Sequence, residues 1–245
     1  MCYNVAFIER KSKEYAERYS KLLAAEAAQR SLEIEFPKYY FVSGFSHPKL
    51  PIVKHDGMAL YEWGLIPSWA KDQAFAHEIR DKTLNAVGET VFEKASFKHS
   101  IVSQRCLLGI SGFYEWRDFK KVKYPYFIKH KTNPIFSLGC IYEEWIDKAT
   151  GEIRHTFSIL TTPANALLSK IHNLRNRMPL ILSPQDEKNW INPELSQSHI
   201  ESLIKPYMKS DLVAFTISKE VNNARNERNI PEILEPEEYE ELPVI

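Results

Sequence analysis

A cysteine stands directly behind the initiator methionine in the opening stretch MCYNVAF, and few other positions in a chain offer the same chemistry. The processing aminopeptidase accepts small second residues, so loss of Met1 would make Cys2 the N-terminus. A thiol and a free amine would then lie two carbons apart, with reference pKa values of about 8.5 and about 7.7 to 8.0. Both would hold a usable nucleophilic fraction near neutrality. Taken alone, Cys2 reads more plainly as a small apolar residue starting a strand.

Four further stretches place useful side chains in suggestive settings. In RCLLGISGFYEW, Glu115 lies between Tyr114 and Trp116. A carboxyl desolvated among aromatics has a raised pKa and suits proton transfer near neutral pH. Strand alternation, however, puts Glu115 opposite both rings, where it could equally face solvent. In SKIHNLRNRMPLILS, His172 ends an apolar helix ahead of Arg175 and Arg177. That setting suits phosphate contact or acid–base work, although a lone histidine is more often structural. Asn85 in TLNAVGET could orient a substrate through its amide or, more commonly, close a turn with its own backbone. In YEWGLIPSWA, Trp63 and Trp69 bracket a turn at Pro67. Exposed, they would stack on bases for about 1–3 kcal/mol each without reading sequence; buried, they would be core.

The elements that must position these residues belong to an ordinary globule of 245 residues, 44% apolar and 26% charged, enough for one large domain or two small ones. No apolar run reaches membrane-spanning length and no secretory pattern opens the chain, so a cytoplasmic location and no membrane partner are expected. Three scattered cysteines suggest neither a disulfide framework nor zinc. A net charge of zero leaves only a local basic groove as an argument for nucleic acid. GxGxxG, GxxxxGK, HExxH, EF-hand and GxSxG patterns are absent, which sets aside the common nucleotide- and metal-dependent classes. No cofactor and no metal site is expected.

Tyr3–Ile8 reads as a strand, and SKEYAERYSKLLAAEAAQRS as one amphipathic helix capped by Ser12, with Tyr15, Tyr19, Leu22 and Leu23 at helical spacing. Further strands are expected at Gln104–Ile110, Tyr126–His130, Ile135–Tyr142, Thr156–Thr161, Pro179–Leu182 and Leu212–Ile217. Helices are expected within Glu93–Ser100, Ala164–Ile171, Pro184–Trp190 and Ser198–Met208. Short strands with hairpin-like links and no composition break make this a single α+β domain with a curved, mainly antiparallel, barrel-like sheet flanked by helices. The acidic end, PEILEPEEYEELPVI, reads as a solvated tail or, nearly as well, a surface strand capped by charges.

Taken in order, Cys2, the Trp63–Trp69 stretch, Asn85, Phe113–Trp116 and His172–Pro179 resemble the SRAP family, named for SOS-response-associated peptidase and also called abasic-site processing proteins. The resemblance runs from MC through WGLIPSWA, NAVGET, SGFYEW and RMPLILSP to VNNARN. It implies an SRAP-like domain over residues 1–231 followed by an acidic tail over 232–245. It also implies a DNA-damage role: binding single-stranded DNA that carries an abasic site, and bonding to it through Cys2 as a thiazolidine, with reversal and lyase activity. By the family's motif, Asn85 would hold the N-terminus and the sugar. Glu115 would shuttle protons at the amine, and His172 would protonate the sugar oxygen. Trp63 and Trp69 would form the wall that splays the strand, Thr161 would be a polar neighbour of the site, and Arg177 would contact phosphate. A monomer is expected.

The sequence departs from that pattern in three places. Asn4 and Val87 stand where arginines are common, which implies weaker and less salt-dependent DNA binding unless Lys98, Arg175 or Arg177 compensates. HNLRNRMP is longer than the family's usual HxRMP. Two rival readings remain: an N-terminal-nucleophile cysteine peptidase that processes its own leading residues, and a non-catalytic scaffold.

Overall fold

Five strands close on themselves at the centre of the fold. In the computed structural model, which describes residues 2–7, 12–31, 34 and 38–245, these are β3 (Lys49–Lys54), β4 (Gly57–Trp63), β6 (Arg105–Ile110), β9 (Phe136–Ile146) and β10 (Ile153–Pro163). The order around the barrel is β10-β4-β3-β6-β9, and pairing of β9 with β10 completes the ring. The β10–β4 pair is parallel, and the other barrel pairs are antiparallel. Every residue of β6 is buried, which is why RCLLGI reads as a continuous apolar run: one face fills the barrel and the other is covered.

A second, open antiparallel sheet has the order β13-β8-β7-β1-β2. It comprises β1 (Asn4–Phe7), β2 (Tyr39–Ser43), β7 (Gly112–Phe119), β8 (Val122–His130) and β13 (Leu212–Thr216). The short strands β5 (Asn85–Val87) and β11 (Arg177–Pro179) extend β10, while β12 (Ile181–Leu182) pairs with β9. The chain passes from the barrel into the second sheet at Ser111, whose N–H donates to Ala6 O. Gly112 follows because a Cβ there would sit 2.3 Å from the Phe127 ring.

Both faces of the second sheet are covered. Val5, Phe113 and Ile128 face the barrel with Leu50, Ile52 and Leu108. Ala6, Tyr114 and Phe127 face outward against Ile217, Val221 and Ile233. The acidic C-terminal segment packs on the protein: Tyr239 lies edge-on to Tyr124 with ring centroids 5.1 Å apart, its hydroxyl donates to Ile217 O, and Leu242 and Ile245 lie against the core.

Helices α3 (Gln73–Arg80), α5 (Ala166–Ile171), α6 (Pro184–Ile191) and α7 (Gln197–Leu203) surround the sheets. Two sequence expectations need correction. The expected helix through residues 12–31 is two, α1 (Ser12–Ser20) and α2 (Ala25–Ser31), because Leu22 and Leu23 close the first with three-residue turns onto Tyr19 O and Ser20 O. Tyr15 and Tyr19 tie α1 to the barrel through Pro51 O and Ser137 Oγ, while α2 binds the Met58 N–H through Ser31. One straight axis would not serve both docks. The span Glu93–Ser100 is a run of turns, and α4 is only Ser100–Ser103. Ile8, where the first expected strand ends, and the Ser12 side chain proposed as a cap lie outside the described residues.

Candidate functional site

The N-terminal end of β1 runs into the seam between the two sheets. Cys2 is fully buried in the shared core, and its thiol lies at a long 3.9 Å from Asn4 O. Burial first, and then the neighbouring Glu115 charge, push the thiol well above its ordinary range. The resting sulfur is therefore a thiol, and its use as a nucleophile requires a proton acceptor.

Glu115 is delivered by β7, whose register with β1 sets Phe113 opposite Val5. Alternation does place Glu115 away from Tyr114, as the sequence suggests, but the opposite face meets the barrel instead of water. The carboxyl is therefore buried, and burial raises its pKa to about 8.

His172 arrives by a different route. Asn165 caps the N-terminus of α5 by accepting from Leu168 N–H, and His172 forms the C-cap with its own N–H on Leu168 O. The ring is buried, which lowers its pKa to about 4. Nδ1–H donates to Arg177 O at 2.9 Å, leaving the lone pair of the neutral ring on Nε2. Glu115 Oε2 stands 3.8 Å from Nδ1.

Glu115 and His172 open onto a cavity of about 540 Å³, while Cys2 is buried and not on its lining. Tyr3, Asn4, Glu115 and His172 form one part of its lining, and Phe41, Trp116, Asn222 and Arg228 another. Trp116 is held by an indole N–H bond to Asn222 Oδ1, and the Arg228 guanidinium lies 4.6 Å over the Phe41 ring. The cations on the lining are Lys123, Arg175 and Arg228; Asp118 is the other carboxylate beside Glu115. Among the described residues no group of His, Cys, Asp and Glu is arranged to hold a metal, and no helix is long and apolar enough to cross a membrane.

The remaining site candidates are not on the cavity lining. Asn85 is buried on β5, paired in register with Ile159 of β10, and among the described residues neither amide atom has a hydrogen-bond partner; it does not line the cavity. Trp63 is core: it is 0% exposed, donates to Leu84 O and stacks on Phe157. The barrel-facing end of β4 claims it, so it cannot form an exposed stacking wall. Trp69 is 47% exposed, donates to Ala95 O and packs on Phe75, away from the cavity lining. Thr161 is buried on β10, and its carbonyl and hydroxyl accept from Arg177 at 2.7 and 3.1 Å. Arg177 is also held in a two-pronged pair with Glu89, so its charge is already compensated and its fork occupied. Lys98 is exposed but off the cavity. Sequence reasoning missed Tyr3, Asn222 and Arg228 as lining residues. The one signal available was their position in or beside the strings CYN and VNNARN.

A closed barrel backed by a doubly covered sheet, with a buried thiol, acid and imidazole gathered at their seam, defines a class. A family model, SOS response associated peptidase (SRAP), matches residues 1–224. The chain belongs to the SRAP family. It is 39% identical to the Abasic site processing protein YoqW of Bacillus subtilis (strain 168) over 71% of this chain and 74% of that one. It is 31% identical to the Abasic site processing protein HMCES of Gallus gallus over 71% of this chain and 56% of that one. A crystal structure of a Bacteroides thetaiotaomicron protein superposes with a TM-score of 0.86 at 37% identity, covering 96% of this chain and all of that one. A Bordetella bronchiseptica structure at 18% identity, TM-score 0.70, shares the fold.

Proposed function

We propose that this protein processes abasic sites in single-stranded DNA by bonding to the opened sugar through Cys2 once Met1 has been removed. The observation that carries the reading is the buried Cys2 thiol next to Glu115, which together with His172 lines one cavity whose other charged groups are mainly cations. Relatives at 31–39% identity bear the name abasic site processing protein, which supports the same substrate.

The chemistry follows from the groups present. The Cys2 amine adds to the aldehyde carbon of the open sugar, and the adduct loses its oxygen as water to give an imine. The thiol then adds across the C=N bond, sulfur to carbon and its proton to nitrogen, closing a five-membered thiazolidine with net loss of one water. Because both nucleophiles belong to one residue, the second addition is intramolecular and gains from effective molarity. At neutral pH a Glu115 with a pKa near 8 holds its proton and can protonate the departing oxygen. A His172 with a pKa near 4 is neutral and serves better as acceptor than as donor, which moves the donor role that the family motif implied for it onto Glu115. Asn85, a buried amide with both ends unpartnered, fits the task of holding a polar group of the N-terminus or sugar.

Incubation of the protein with a single strand carrying one abasic site, followed by denaturing electrophoresis after heating, tests the reading. A slower, heat-stable band is expected; its absence under conditions where Met1 is shown to be removed would refute it. Cleavage of a peptide without any DNA adduct would instead favour the peptidase reading.

A further inference from the structure

The turn between His172 and Arg177, longer than the family's usual motif, is built as a rigid projection. Asn173 pins it to β7 twice, donating from Nδ2 to Asp118 O at 2.8 Å and accepting the Asp118 N–H on Oδ1 at 3.0 Å. His172 O accepts from both Arg175 N–H and Asn176 N–H, and Ala164 N–H donates to Asn176 O. Asn176 takes a left-handed conformation with φ 51°, which asparagine tolerates better than most residues. Among the described residues the side chains of the two residues at the tip make no hydrogen bond or ion pair. Leu174 is 68% exposed. Arg175 is exposed and lines the cavity, and among the described residues no carboxylate lies within ion-pair distance of it. Its charge, after burial, is among the influences on both the Tyr3 hydroxyl and the His172 ring, so it sits over the reactive end of the cavity.

A pinned turn gives up little conformational entropy on binding, and a leucine displayed on one gains nothing from the fold itself. Resting on the abasic-DNA reading above, we propose that this turn is a substrate-positioning element. In it, Arg175 binds the backbone phosphate beside the lesion, in the capacity that Arg177 cannot fill, and Leu174 packs on the sugar or base of the adjoining nucleotide. Arg175 supplies the charge-assisted contact missing at Asn4 and Val87, and its planar fork matches a phosphate.

The two contacts have different signatures, because a phosphate contact releases counterions and an apolar one does not. The test is equilibrium binding of a single strand containing a tetrahydrofuran, an abasic analogue that carries no aldehyde, titrated at salt concentrations from roughly 50 to 200 mM. Arg175→Gln should lower the slope of log affinity against log salt by about 0.7, and Arg175→Lys should restore most of it. Leu174→Asn should weaken binding several-fold with the slope unchanged. An Arg175→Gln protein with wild-type slope and affinity overturns the proposal while leaving the abasic reading intact. A wild-type protein that neither binds this strand nor crosslinks its aldehyde-bearing counterpart overturns both.

Discussion

Glu115 Oε2 lies 3.8 Å from His172 Nδ1, yet the imidazole proton is directed to the Arg177 carbonyl at 2.9 Å. The acid and the imidazole are thus neighbours without being a formed ion pair. Burial moves their pKa values in opposite directions, to about 8 and about 4, and leaves both neutral near pH 7.

A pH dependence of stability follows from this inversion. Glu115 rises from 4.5 to about 8 on folding, so its contribution is fully present below pH 4.5 and is lost as pH climbs through 8. His172 falls from 6.5 to about 4, so its contribution is present above pH 6.5 and is lost as pH drops through 4. Each pKa unit is worth about 1.4 kcal/mol. Glu115→Gln, which keeps the neutral shape, should therefore melt higher than wild type at pH 8 and nearly level with it at pH 5. Equal differences at both pH values in thermal melts would show that Glu115 ionises as freely as a surface glutamate.

The two tryptophans should separate cleanly. Trp63 fills the barrel end beside Phe157, and Trp63→Ala should cost about 3–5 kcal/mol in urea denaturation. Trp69→Ala should cost far less, since nearly half of that ring is exposed. A cost below about 1 kcal/mol for Trp63→Ala would contradict its core position.

Arg177→Gln should destabilise the fold, because Glu89 and the Thr161 carbonyl both lose a donor, and should leave the salt dependence of DNA binding as in wild type. A drop in the salt slope of that variant would return the phosphate role to Arg177.

Asn85 offers a separation of stability from activity. Its amide is buried with neither end hydrogen-bonded, and an unsatisfied buried polar group costs about 1–3 kcal/mol. Asn85→Ala should therefore change the melting temperature little while slowing adduct formation with abasic DNA. A large loss of stability with unchanged adduct rate would make the amide structural.

How much of this was legible in the sequence depended on how local each signal was. The strands at 104–110, 135–142 and 156–161 announce themselves by apolar runs, and His172 sits at a helix end that Asn165 and the apolar period define. The break between α1 and α2 is set by two tyrosines docking on distant strands, which no local period records. The fate of Trp63 and of Arg177 was equally out of reach. One is decided by the barrel closing on Phe157, the other by Glu89 standing 88 residues earlier in the chain. Glu115 is the instructive case: alternation gave its direction correctly, but only the packing of one sheet against another turned that face from solvent into a buried acid.

The central claim is that Cys2, as an N-terminal residue, is the point of attachment to abasic DNA. The most direct measurement is the mass of the nuclease-trimmed, protease-digested adduct formed with a strand carrying one abasic site, run beside Cys2→Ala. The N-terminal peptide should begin at Cys2 and carry the residual sugar fragment less one water, and Cys2→Ala should yield no heat-stable adduct, since alanine's amine reaches the imine but has no thiol to close the ring. A stable adduct on any other residue, or an undiminished yield from Cys2→Ala, would contradict the account.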